Sequence, residues 1–277
     1  MTTLAIIGAG GNMGMRVGKT LARFPDKYRL LLVETGQAGQ ARLRERGAEL
    51  SSREEALLEA DIFVLAIADN RIKAVAADYV PHAKSGAMFV TLDAAAPYSG
   101  HLPQRSDISY FVTHPAHLSV FNDEEGAARR DYFGSGLAKQ AIVSALMQGP
   151  ESDWARGEEV AKDMFGPVLR SHRLSVEQMA VLEPALSETV AATLVVVMKE
   201  AMDEVIARGM PAQAARDFLL GHINIPLAIV FGEIEWDFSA GAKKMIEEAK
   251  KELLQPDWKK VFDLENVRRS VLKITEA

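Results

Sequence analysis

Apolar residues fall along this chain in two textures. In the first half they form short, nearly unbroken runs at 4–7, 28–33, 61–67, 87–92 and 108–113. Runs of this kind mark strands buried on both faces of a parallel sheet, where alternation with polar residues is lost. Between them, residues 13–24, 38–60 (with a break near 48–50) and 72–79 carry apolar positions at helical spacing. Strand and helix therefore alternate, which favours a parallel sheet with helices on both faces. Residues 94–107, with Pro97, Gly100 and Pro103, read as loop, and 122–136 as a polar loop. Residues 141–147 and 168–173 add two expected edge strands around a helix at 153–165.

From about residue 176 the strand texture ends, and helical patterns follow at 184–208, 212–231, 240–254 and 263–275. The expected fold is α/β: a Rossmann-type parallel-sheet domain over 1–175, then an all-helical domain over 176–277. A chain of 277 residues suits two cores better than one. The helix at 184–208 is apolar on much of its circumference (Val190, Ala191, Leu194, Val195, Val196, Val197), so it calls for a partner helix or a second subunit. A homodimer is expected on that ground.

A net charge of −6 without a separate block of Lys and Arg excludes a general nucleic-acid binder. The absence of Cys removes disulfides, thiolate nucleophiles and thiolate metal sites, and fits a reducing cytoplasm. Any metal would need His, Asp or Glu. The first residues lack a basic leader, and the purely apolar run 194–198 falls far short of the ~20 residues of a membrane span. A soluble cytoplasmic protein without a membrane partner is the expectation.

The cluster Gly8-Ala9-Gly10-Gly11-Asn12-Met13-Gly14 stands where the first strand becomes the first helix. There, glycine permits a tight turn and close approach of a pyrophosphate, while the free N–H groups of the first helical turn stabilise its charge; Gly8, Gly11, Asn12, Met13 and Gly14 are the expected cofactor-binding residues. Glu34 ends the second strand, where an acid accepts hydrogen bonds from ribose hydroxyls and repels the extra phosphate of NADP. The expected cofactor is NAD. A tight turn without ligand and a solvated strand end are the plainer alternative. Ala68, Asp69 and Asp93 follow later strands at the same sheet edge and are expected to face the dinucleotide.

His114 ends the strand 108–113 and is fixed by Pro115, which places it at the nicotinamide end as general base or metal ligand. His117 is a weaker companion. Glu183 opens the long helix, with Ser187 and Glu188 close behind; these acids either answer the helix dipole or join His114 as ligands of a divalent ion such as Mg²⁺ or Mn²⁺. Such an ion could hold a polyhydroxy acid. His222, inside an apolar helical run, is either a further catalytic candidate or a packed ring.

Taken together, the Gly-rich turn, Glu34, Ala60-Asp61-Ile62-Phe63-Val64-Leu65, Pro81-His82 and the strand to Leu92 resemble the 6-phosphogluconate and β-hydroxyacid dehydrogenase superfamily. Thr113-His114-Pro115 is closer to prephenate dehydrogenases. The superfamily's lysine and asparagine on the long interdomain helix are replaced here by Glu183-Pro-Ala-Leu-Ser187-Glu188. Within the superfamily, the chain is similar to the D-apionate oxidoisomerase group. That resemblance implies NAD-dependent oxidation of the 2-hydroxyl of a branched sugar acid, coupled to a hydroxymethyl shift from carbon 3 to carbon 2 that gives 3-oxo-isoapionate. A divalent ion bridging the two oxygens would explain acids in place of the lysine. Two alternatives remain open at this point: a plain NAD-dependent hydroxyacid dehydrogenase whose activity survives chelation, and a dinucleotide-binding protein without turnover.

Overall fold

The computed structural model describes residues 1–276. Seven strands form one sheet in the order β2-β1-β3-β4-β5-β6-β7. They are β1 (Thr2–Ile7), β2 (Tyr28–Val33), β3 (Ile62–Leu65), β4 (Met88–Thr91), β5 (Ser109–Pro115), β6 (Gln140–Gln148) and β7 (Val168–Arg173). The first five are parallel, as the unbroken apolar runs predict. Leu4, Ala5, Ile6, Ile62, Phe63, Val64, Met88, Phe89 and Val90 are fully buried, so both sheet faces are covered. The covering helices are α1 (Asn12–Leu21), α2 (Gln37–Glu45), α3 (Arg53–Glu59), α4 (Asp69–Tyr79), a single turn α5 (Ala95–Tyr98) within the expected loop, and α6 (Ser152–Phe165).

The sheet departs from the expectation at its far side. β6 is antiparallel to β5 and lies inside the sheet, and only β7, parallel to β6, forms that edge. The reason is topological: β5 and β6 are joined without a crossover helix, so β6 returns antiparallel, whereas α6 carries the chain across to β7.

Two compact units emerge, 1–184 together with 267–276, and 185–266. The division differs from the expected boundary at 175/176 at both ends. Helix α7 (Val176–Ala180) starts where the helical texture begins, with Ser175 and Gln178 forming a capping box, but it buries Met179 and Ala180 and packs on α5 and β6. At the other end, α11 (Leu264–Glu276) buries Val267 and Val271 completely, and Thr275 pairs with Ser99 beside α5. Burial, rather than helical texture, therefore assigns both segments to the first unit.

From Val181 to Ala192 the helix widens to π geometry before continuing as α8 (Thr193–Ala207). Pro184 lies inside this stretch, although its sequence reads as a helix start; lacking an N–H, it fits a widened helix better than a regular α-ladder. In the second unit α8 packs with α9 (Ala212–Val230), followed by α10 (Ala240–Leu253). The stretch Val176–Ala207 is long and apolar enough to cross a membrane by length and composition.

Candidate active site at the carboxyl edge of the sheet

One rung runs across five strands: Val33, Ile7, Leu65, Thr91 and Val112 are register partners in succession. The candidate residues lie just past this row. β1 and β3 are neighbours while β2 lies on the other side of β1, so the chain reverses direction here and opens a crevice above the strand ends.

Gly8 follows the row with φ +81°, and a side chain on Gly14 would meet the Gly8 carbonyl oxygen at 2.2 Å. α1 is thus drawn tightly against the strand end. Its N-cap, Gly11, provides no side-chain cap, leaving the first N–H groups, around Asn12 and Met13, available to an anion. Glu34 accepts hydrogen bonds from the Gly10 N–H at 2.9 Å and the Gly36 N–H at 2.7 Å. Each carboxylate oxygen retains accepting capacity for ribose hydroxyls, and the acid also braces the glycine turn. Arg42 donates to the Gly10 carbonyl from Nε at 2.9 Å. Ala68 caps α4 and Asp69 opens it, beyond the end of β3.

Asp93 lies two residues beyond Thr91 and His114 two beyond Val112, so equal offsets from paired residues bring them side by side. Glu183 arrives on the widened helix after α7. The three donor groups lie within 4.8 Å of one another, the one such metal-capable group among the described residues. His114 Nδ1 stands 3.7 Å from Glu183 Oε2, with both side chains largely shielded from solvent. Burial pushes the Glu183 carboxyl above its ordinary value; positive charge on His114 opposes this and the charge of Asp93 adds to it. Asp93 is held by the Ala95 N–H, which donates to Oδ1 at 2.5 Å.

Two carboxylates and an imidazole form a hard donor set, and a divalent cation would relieve the burial and mutual repulsion of the acids. The residues therefore fit a divalent metal. The sequence reading groups Asp93 with the dinucleotide; its place beside His114 follows from the β4–β5 register, which a linear pattern does not reveal. Glu188 and His222 belong to the second unit, where Glu188 is exposed. His222 stacks on Phe218 at 3.9 Å, with Nδ1 2.8 Å from the Phe218 carbonyl oxygen one turn back.

His117, just beyond β5, has its ring edge-on to that of His114 with centroids 5.8 Å apart. Burial holds its pKa below the ordinary value, and the positive charges of His114 and Arg16 act the same way.

A Rossmann-type sheet with a glycine turn at its reversal point, an acid ending the second strand and a helical C-terminal region defines an NAD-dependent oxidoreductase. Residues 122–275 match the family described as phosphogluconate dehydrogenase (decarboxylating) C-term. Two relatives named D-apionate oxidoisomerase, from Cupriavidus necator and Rhizobium rhizogenes, are 53% and 51% identical, covering 98% and 99% of this chain and 99% and 100% of their own. The chain belongs to the D-apionate oxidoisomerase family. A crystal structure of a semialdehyde dehydrogenase NAD-binding protein from Cupriavidus necator, in complex with calcium and NAD, superposes with a TM-score of 0.96 at 52% identity, covering 99% of this chain and 100% of that one.

Proposed function

We propose that this protein oxidises D-apionate with NAD and rearranges the product to 3-oxo-isoapionate, using a divalent cation held by Asp93, His114 and Glu183. The observation that carries this reading is the convergence of two acids and a histidine at the same carboxyl edge as the glycine turn, in place of a catalytic lysine. The relatives' activity and the calcium and NAD of the similar crystal structure support it.

Gly8, Gly11, Asn12, Met13 and Gly14 would seat the pyrophosphate and Glu34 the adenosine ribose, with Ala68 and Asp69 along the cofactor's path. Bound NAD would supply the hydride acceptor for C2 as the 2-hydroxyl becomes a carbonyl. Glu183, with its carboxylate 3.7 Å from His114, is the acid positioned to take the proton of that hydroxyl. The hydroxymethyl group then leaves C3 for C2 with its bonding electrons. C3–O becomes the carbonyl, and the C3 hydroxyl proton ends on the C2 oxygen. A bound divalent cation supplies charge stabilisation to the two neighbouring oxygens through this shift. His114 and Asp93 orient the donor set; Glu188 and His222 carry no step of this reading.

The second unit supports a homodimer. In α8, Val195 and Val196 are 64% and 55% exposed, and in α9 Phe218 and Val230 are 68% and 65% exposed. Apolar surface of this extent seeks a partner, and a second copy of the chain supplies the same surface. The absence of cysteine fits a cytoplasmic enzyme.

The test is to follow nicotinamide absorbance with D-apionate and NAD, with and without EDTA, and then to restore Mg²⁺ or Mn²⁺. Reduction lost on chelation and regained with metal is the expected result, with the carbon shift checked in the product. Reduction indifferent to EDTA would leave a plain dehydrogenase.

A further inference from the structure

Among the described residues His117 alone, apart from glycines, has a positive φ, at 62°. Backbone of this kind is uncommon for a residue with a side chain, and it persists only where the surroundings over-determine it. Here they do. The His117 ring is wedged between two others, edge-on to His114 on one side and to Phe133 on the other, with centroids 5.8 Å away in each case. Its Nδ1 lies 3.3 Å from the Phe133 carbonyl oxygen. A carbonyl only accepts, so Nδ1 carries the hydrogen, and in the imidazole form Nε2 is an acceptor.

The segment behind Phe133 is fixed in turn. Asp131 accepts from the N–H groups of Ser135 at 2.7 Å, Leu137 at 3.0 Å and Ala138 at 3.1 Å. The Gly134 carbonyl accepts from Arg16 and Gln140, each at 3.1 Å. His117 is therefore held rigidly in a strained conformation beside the proposed metal centre, with one ring nitrogen committed and the other not.

The geometry points to His117 as a substrate-binding residue, its Nε2 accepting a hydrogen bond from a hydroxyl of the sugar acid held at Asp93, His114 and Glu183. This rests on the function proposed above and deepens it. An acceptor at this position favours the hydroxylated end of the substrate and disfavours its carboxylate, so His117 would set which end faces it. The separation of the two histidine rings is one that a short polyol chain spans.

His117→Gly removes the ring and relieves the backbone, and His117→Asn tolerates the same φ while restoring a polar side chain. Calorimetry on metal- and NADH-loaded wild type and variants measures D-apionate affinity without turnover, alongside separate metal titrations and thermal midpoints. In His117→Gly, D-apionate binding is expected to weaken about tenfold, with partial recovery in His117→Asn. Metal affinity should stay within about twofold and the thermal midpoint should hold or rise. Unchanged D-apionate affinity in His117→Gly would overturn the inference. So would a parallel loss of metal affinity, which would make the ring a brace for His114 instead. Wild-type protein that binds metal and NADH but no D-apionate would defeat the substrate assignment itself, and this inference with it.

Discussion

At the residue scale, the chemistry concentrates in side chains whose environments differ sharply from water. Glu183 is largely shielded and its carboxyl pushed up, so it gains more from a cation than an exposed acid would. Glu183→Gln should lower kcat/KM at least about 100-fold, equivalent to roughly 2.7 kcal/mol, and weaken metal binding in a direct titration. Glu34 braces Gly10 and Gly36 as well as facing the expected ribose position. Glu34→Ala should weaken NAD binding roughly tenfold, as loss of charged hydrogen bonds does, and narrow the preference over NADP; fluorescence titration with both cofactors measures this. Asp131 shows the opposite shift from Glu183: the Ser135 hydroxyl and the surrounding N–H groups hold its carboxyl down from 3.8 to about 2. A depressed carboxylate stabilises the fold above its unfolded pKa, and that contribution is lost as pH falls toward the folded value. Asp131→Asn should therefore lower the melting temperature near neutrality and flatten its decline between about pH 4 and pH 2, as read by circular dichroism.

At the scale of elements, backbone approach and burial decide what a pattern can mean. Gly14 lies so close to the Gly8 carbonyl that a methyl group has nowhere to go. Gly14→Ala should cost about 1–3 kcal/mol of stability and impair NAD binding, measured by denaturant unfolding with and without cofactor. α11 reads in sequence as one more helix of the helical region, yet its buried stripe of Val267, Val271 and Thr275 belongs with the sheet unit. Val271→Ala should cost about 1–3 kcal/mol and raise hydrogen exchange in α5, which a helix independent of the sheet unit would leave unchanged. The strands β1 to β5, the glycine turn and Glu34 were legible because unbroken apolar runs ending in glycine or acid have few other physical readings. The antiparallel return of β6 and the widened helix around Pro184 were not, since neither strand direction nor helix width leaves a periodic trace in side-chain polarity.

At the scale of the whole molecule, the exposed apolar residues of α8 and α9 match the helical texture from which a second subunit was expected. Light scattering should give twice the chain mass of 30.3 kDa, and a charge introduced at Val195 should shift the protein toward monomer or aggregate.

The sequence by itself determined the alternating fold, the dinucleotide turn and NAD as the expected cofactor, and it singled out His114 and Glu183 as candidates, because each depends on local pattern or on position at a strand or helix end. The candidate metal set required tertiary structure. Asp93 joins His114 only through the pairing of β4 with β5, Glu183 reaches them only because α7 packs on the sheet unit, and the strained backbone of His117 is imposed by a loop anchored many residues away. These are contacts between residues distant in the chain, and their geometry is fixed by register and packing, which no local sequence pattern encodes.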